Sequence, residues 1–231
     1  METEMIFIRK TDIMPFSCEP SVSCFTECCH DLDQVLTPYD VLRLKNALNL
    51  PSGEFLARYT IRFTGPETGL PMVSLKPVAE KQFACPFLSE NGCTVYEDRP
   101  ASCRTYPLIR MAAKSRQTGR ITVQYALIRE PHCKGWMDGG KGMPLAEWIE
   151  QQGLNTYEEM NDRVLSLIEA VNRLKPKSLT PAMRDLIFTA IYDLDTFRSR
   201  QALIEELALP EESVSEEVLL KAAIQWAADQ I

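Results

Sequence analysis

Downstream of Thr37, apolar residues recur at helical spacing: Val41, Leu42, Leu44, Ala47 and Leu48 fit a 3.6-residue period. Thr37-Pro38-Tyr39-Asp40 precedes them and reads as a helix start. Thr37 is the N-cap, Pro38 takes the first helical position, and Asp40 lies near the positive end of the dipole. Leu50-Pro51 ends this helix, and Ser52 is placed to cap a second one through Phe55, Leu56 and Tyr59. Ile61 and Phe63, then Met72, Val73 and Leu75, flank Gly65-Pro66-Glu67-Thr68-Gly69. Two strands around a turn follow from that order. Another strand is predicted at Ile121–Ile128, among short loops.

Beyond Pro144 the period is helical, over Pro144–Gln152, Thr156–Leu174, Pro181–Leu207 and Glu216–Asp229. Val164, Leu167, Ile168, Val171 and Leu174 form one apolar stripe; Leu186, Ile187, Ala190, Ile191, Leu194 and Phe197 form another. Such stripes face a core. The pattern predicts an α+β fold, mainly α. A loop-rich cysteine-cluster domain with a small β-hairpin covers residues 1–143, and a C-terminal helical bundle over residues 144–231 packs on it. Gly135, Gly139, Gly140 and Gly142 mark the boundary as a flexible turn. They lack the spacing and the strand–helix setting of a dinucleotide loop.

The 231 residues are 45% hydrophobic, enough to bury a sizeable core. The opening METEMIFIRK lacks the long apolar region of a secretory signal. No stretch approaches the roughly 20 apolar residues of a membrane span. A soluble, cytoplasmic protein without a membrane partner is expected. The net charge of −7 argues against nucleic-acid binding, which needs a basic surface. The acidity belongs to the C-terminal part: Pro144–Ile231 holds 8 Lys+Arg against 16 Asp+Glu, as on a solvated helical surface.

Cysteine changes the picture most. Cys18, Cys24, Cys28, Cys29, Cys85, Cys93, Cys103 and Cys133 fall into two clusters, and none follows Cys133. Four disulfides would suit a small secreted scaffold rather than this chain. Reduced thiols pack, react or bind metal, and two clusters point to metal. All eight are candidate ligands. Thiolates suit zinc, copper(I) or iron–sulfur clusters. The first cluster reads Cys18-x5-Cys24-x3-Cys28-Cys29 and the second Cys85-x7-Cys93-x9-Cys103. Neither is the usual run of zinc knuckles or of a ferredoxin, so spacing leaves the metal's identity open.

If Cys28-Cys29 were extended, the two thiols would point to opposite faces and divide between two centres; the alternative is that one is a buried core thiol. His30 and His132 each adjoin a cysteine and read as neighbours of ligands rather than ligands. Arg104, Arg110, Lys114, Arg116 and Arg120 lie in a stretch without an acid. Three readings fit it: stabilisation of a negatively charged cluster, a solvated basic loop, or docking of a negatively charged partner.

Phe16-Ser17-Cys18, Cys24, Cys28-Cys29 and Leu36-Thr37-Pro38-Tyr39-Asp40-Val41-Leu42-Arg43-Leu44 resemble the YkgJ-type cysteine-cluster family, the CxxCxxCC zinc- or iron-chelating domain. More specific are Cys85-Pro86-Phe87-Leu88, Gly92-Cys93-Thr94-Val95-Tyr96-Glu97-Asp98-Arg99-Pro100, Cys103-Arg104 and Tyr106-Pro107, with Cys133 and Gly135 downstream. The first gaps here are five and three residues rather than two. The resemblance covers residues 16–140 and implies a cysteine-ligated metal, an iron–sulfur cluster first. One or two clusters of the 4Fe-4S type would serve a redox or electron-transfer role with a redox or protein partner. A zinc-stabilised, non-enzymatic interaction module is the alternative. A relation to flagellin lysine N-methylases is a third lead. No glycine-rich loop and no Ser/His/Asp set supports an enzyme, and no catalytic residue is assigned. In the hallmark segment, Tyr96–Pro100 reads as a turn into a short helix. Arg99 and Arg104 are placed there to pair with Asp98 or Glu97 or to donate hydrogen bonds to cluster sulfur, and a buried Arg–carboxylate brace is the reading preferred over a catalytic one.

Overall fold

The computed structural model describes residues 3–31, 33–137, 141–174, 179–200 and 214–231. In chain order the elements are β1 (Glu4–Ile8), β2 (Ile13–Met14), β3 (Val35–Leu36), α1 (Pro38–Ala47), α2 (Ser52–Tyr59), β4 (Thr60–Thr64) and β5 (Pro71–Leu75). They continue with β6 (Leu88–Ser89), β7 (Gly92–Cys93), α3 (Ala101–Thr105), β8 (Leu108–Lys114), β9 (Ile121–Arg129), β10 (Met143–Pro144), α4 (Leu145–Gln151), α5 (Leu154–Arg173), α6 (Pro181–Ile191), α7 (Leu194–Arg198) and α8 (Glu216–Asp229). The fold is α+β, mainly α. No helix of the described residues is long and apolar enough to cross a membrane. The chain forms two compact units, each from two segments: Met1–His30 with Ala101–Thr156, and Asp31–Pro100 with Tyr157–Ile231.

The first unit is built on an antiparallel sheet in the order β1-β9-β8. β8 and β9 form a hairpin from Leu108↔Leu127 to Lys114↔Ile121, closed over Ser115–Arg120 with Gly119 at φ 68°. The basic stretch expected to be loop is therefore mostly α3, β8 and this hairpin turn. Leu-Ile-Arg-Met-Ala-Ala-Lys carries one β-branched residue, so its composition conceals a strand. One sheet face supplies Ile8, Leu108, Tyr125 and Leu127 to a core with Met14, Phe16, Leu145, Trp148, Ile149, Leu154 and Cys133.

Two glycines read as a flexible boundary are close-approach positions instead. A Cβ on Gly135 would stand 2.7 Å from the Ser17 carbonyl oxygen, and the Ser17 amide donates to the Gly135 carbonyl at 2.9 Å. Gly142, at φ 133°, would place a Cβ 2.1 Å from the Met14 carbonyl oxygen, so only glycine fits. Gly139 and Gly140 lie outside the described residues.

The second unit holds the predicted β4–β5 hairpin, with β3 added to give the order β3-β5-β4. Thr37 caps α1 as expected. Its hydroxyl accepts the Asp40 amide at 3.3 Å, and its own amide donates to Asp40 Oδ2 at 2.7 Å, a reciprocal capping box. Ser52 does not cap α2; Pro51 holds that position. The Ser52 hydroxyl donates to Asp193 Oδ1 at 2.7 Å and accepts the Asp195 amide at 3.0 Å, so it ties α2 to the start of α7. The helix expected over Pro181–Leu207 breaks after Ile191. Asp193 caps α7 by accepting the Thr196 amide, and residues 201–207 lie outside the described residues. α6 packs on β5 and on α8, and α1 packs on α2 and α8, over buried residues that include Tyr39, Leu44, Phe55, Val73, Ile187 and Ile224.

Candidate metal centre

None of the eight cysteines, all among the described residues, is in a disulfide. The first unit holds Cys18, Cys24, Cys28, Cys29, Cys103 and Cys133, and the second holds Cys85 and Cys93. In the first unit, Ser17–His30 runs through successive tight turns. Amides of Val22, Phe25, Glu27 and Cys29 donate to carbonyls three residues back. The last turn is a 3-10 helix over Glu27–Cys29 entered through Thr26 at φ 70°.

The vicinal pair therefore sits on a tight helical turn, not on extended backbone. Its two thiols are hydrogen-bonded to each other, which brings the Cys28 thiol down to about 7 against the opposing effects of burial and of Glu27. Sulfurs that face each other remove the geometric reason for assigning them to separate centres.

Cys24 meets the downstream cysteine segment directly. Its Sγ accepts the Lys134 amide at 3.0 Å, one residue beyond Cys133. Cys133 is buried in the first unit's core, and Cys24, Tyr106 and Trp136 pack against that core. The Tyr106 hydroxyl donates to Glu130 Oε2 at 2.9 Å and is also hydrogen-bonded with Cys133. Burial and then these two partners raise the Tyr106 pKa well above its ordinary value. Phe16 meets the rings of Tyr106 and Trp136 edge-on, at 6.3 and 5.4 Å between centroids. Aromatic surface thus lines the Cys133 side, where Phe16 and Cys133 are buried and Cys24, Tyr106 and Trp136 are partly buried.

His30 Nδ1 is buried without a hydrogen-bond partner among the described residues. His132 is exposed, with Nε2 3.8 Å from Glu130 Oε2. Cys103 is exposed on α3. The next residue, Arg104, is buried and donates to the Gln152 carbonyl at 2.8 Å.

In the second unit, β6 and β7 form a two-residue-per-strand hairpin that sets Cys93 opposite Leu88. Gly92 takes φ 99° there. The Thr94 amide and hydroxyl both donate to the Phe87 carbonyl, at 2.9 and 3.0 Å, and the Leu88 amide donates to the Cys85 carbonyl at 3.1 Å. Tyr96–Asp98 is a 3-10 turn before α3, as the hallmark segment suggests. The partner of Asp98 is Arg43 of α1, through Nε at 2.8 Å and Nη2. Arg99 stacks on the Tyr96 ring at 3.8 Å and donates to the Tyr96 carbonyl at 2.7 Å.

Among the described residues, no three His, Cys, Asp or Glu side chains form a group able to hold a metal ion. The donor set nonetheless fits a thiophilic metal in its chemistry. It offers thiols outside disulfides, a vicinal pair with a lowered pKa, a sulfur already accepting an amide, and a buried imidazole nitrogen without a partner. The family model "CxxCxxCC: Putative zinc- or iron-chelating domain" matches residues 17–134, a span that contains all eight cysteines. The chain belongs to the CxxCxxCC family. No curated protein and no solved structure matches it. The CxxCxxCC span draws on both units, ending four residues after Glu130.

Sequence reasoning missed three contributors to the site. The Lys134 amide has no side-chain signature. Glu130 stands 24 residues from the tyrosine it binds. Arg43 is visible in the family segment, but its pairing across 55 residues is not.

Proposed function

We propose that the chain is a cysteine-ligated metal protein carrying one or two iron–sulfur clusters, 4Fe-4S in type, with a redox or electron-transfer role and a protein redox partner in the cytoplasm. The observation that carries this reading is the Cys24 sulfur, which accepts the Lys134 amide at 3.0 Å beside buried Cys133. Amide hydrogen bonds to ligand sulfur and exclusion of water are the means by which a protein sets a cluster's potential. In the first unit Cys18, Cys24, Cys28, Cys29, Cys103 and Cys133 would hold the metal, and in the second Cys85 and Cys93. A bound cluster supplies one-electron redox chemistry. The chain's own residues do the rest. The Lys134 amide withdraws charge from the Cys24 sulfur, Tyr106 fixes the Cys133 thiol, and Phe16, Tyr106 and Trp136 pack beside them. A reducing cytoplasm would keep the thiols available.

Protein purified without oxygen should be brown, with iron and acid-labile sulfide in similar amounts. Colourless protein from the same preparation, holding stoichiometric zinc and no iron, would instead establish a zinc-stabilised interaction module.

A further inference from the structure

The first unit buries two ring nitrogens that have no hydrogen-bond partner among the described residues, His30 Nδ1 and Trp136 Nε1. They differ in what they can take. An imidazole nitrogen can accept, donate or ligate, whereas an indole N–H can only donate. A buried donor without an acceptor is costly and calls for one.

Trp136 is held from several sides. It forms an antiparallel bridge with Phe16. The bridge lies between the bonds from the Ser17 amide to the Gly135 carbonyl and from the Met137 amide to the Pro15 carbonyl, both 2.9 Å. Bridged residues set their side chains on one face, and the two rings meet at 5.4 Å between centroids. The Arg129 guanidinium lies over the indole, 4.8 Å from the ring centroid. Trp136 thus packs against the core that contains Phe16 and Cys133.

Cys133 has the opposite need. It is 8% exposed, and its side chain is hydrogen-bonded with the Tyr106 hydroxyl. That hydroxyl has one proton and also donates to Glu130 Oε2 at 2.9 Å. A thiol coordinated to metal gives up its proton and becomes an acceptor only. The single Tyr106 proton cannot serve both Glu130 and a buried thiolate in full. One core therefore holds a donor without an acceptor and, once metal binds, a charged sulfur short of a donor.

We infer that the Trp136 indole N–H donates to the Cys133 sulfur when metal is bound there, which makes Trp136 a positioning residue of the centre. The inference rests on metal at Cys133 and not on its identity, because a thiolate on zinc and one on an iron–sulfur cluster both accept. The bond withdraws charge from the Cys133 sulfur, as the Lys134 amide does from Cys24.

Nuclear magnetic resonance on the full, isotope-labelled chain in reductant tests this, with cadmium alone as the probe metal. Binding is followed by thiolate-to-cadmium absorption in the ultraviolet. Loading with a spin-one-half cadmium isotope should move the Trp136 indole proton downfield and split it, by coupling across the N–H···S–Cd path. A spin-zero isotope should give the shift without the splitting. Trp226 Nε1, also without a partner but set beside Phe197 in the second unit, is the reference and should stay in place. Trp136→Phe identifies the resonance and should weaken cadmium binding about five- to tenfold, with circular dichroism unchanged. Cadmium bound without splitting at Trp136, or bound by Trp136→Phe as tightly as by the parent, would overturn the inference and leave metal binding standing. Cadmium not bound at all would overturn both.

Discussion

The Cys28 thiol is the side chain whose chemistry the fold alters most usefully. Free cysteine titrates at about 8.5, and the neighbouring Cys29 thiol brings Cys28 down to about 7. The folded state thus favours the thiolate. The stability this confers is complete above the unfolded pKa and is lost as pH falls through about 7. Reactivity runs the same way, since the thiolate is the nucleophile and the metal ligand. In metal-free protein, alkylation of Cys28 by iodoacetamide, followed by peptide mass spectrometry, should rise with a midpoint near pH 7. Cys29→Ala should move that midpoint upward towards the ordinary value. Equal midpoints in parent and variant would contradict the assignment. The vicinal pair was legible in the sequence; the turn that faces its sulfurs together was not. That turn depends on Thr26 adopting φ 70°, which threonine rarely does and which no local signal announces.

Among the elements, α2 is tied through Ser52 to the start of α7. Ser52 is fully buried, and its hydroxyl bonds both Asp193 and the Asp195 amide. Ser52→Ala would leave the Asp195 amide without that partner and Asp193 with the Thr196 amide alone, at a cost of about 1–3 kcal/mol, read as a fall in Tm of several degrees. Burial would raise the Asp195 carboxyl, but the Ser52 amide, Lys45 and the Ser52 hydroxyl hold it below its ordinary value. The Asp195 contribution is therefore present near neutrality and lost in acid, where the difference between parent and variant should shrink. A Tm equal to the parent's at neutral pH would remove Ser52 from this role. Thr37 and Ser52 look alike in sequence, each beside a proline and ahead of an apolar run. Thr37-Pro38 has the proline inside the helix and an acid at the third position, so the local pattern suffices. Pro51-Ser52 reverses the order, and Ser52 becomes the first helical residue, available to a partner 141 residues away. The predicted hairpin and strand 121–128 were legible because β-branched residues and turn glycines mark them. β1 and β8 were not, because one is an unbroken apolar run without alternation and the other is rich in alanine and methionine.

For the whole molecule, periodicity shows that a face is buried but not what buries it. Each unit is assembled from two segments of chain, and no local pattern records such a return. α4 illustrates this: the segment Pro144–Gln152 shows a helical period in sequence, and its Leu145, Trp148 and Ile149 belong to the core of the first unit with Cys133. The cysteine segments are built differently from these cores. Ser17–His30 is held by turns, and β6 and β7 are two residues each. Segments with so few backbone bonds open at little cost unless a ligand ties them down, and metal that binds only the folded form adds its binding energy to their stability. Removing the metal under reducing conditions should therefore raise hydrogen exchange at the amides of Cys29 and Lys134 in the first unit and of Thr94 in the second. The amides of Tyr192 and Leu219, which bond within or at the ends of α6 and α8, should exchange as before. Exchange that rises equally at all five amides would mean that metal supports the folded cores themselves. No change at Cys29 and Lys134 would place the metal away from the Cys24–Cys133 meeting point.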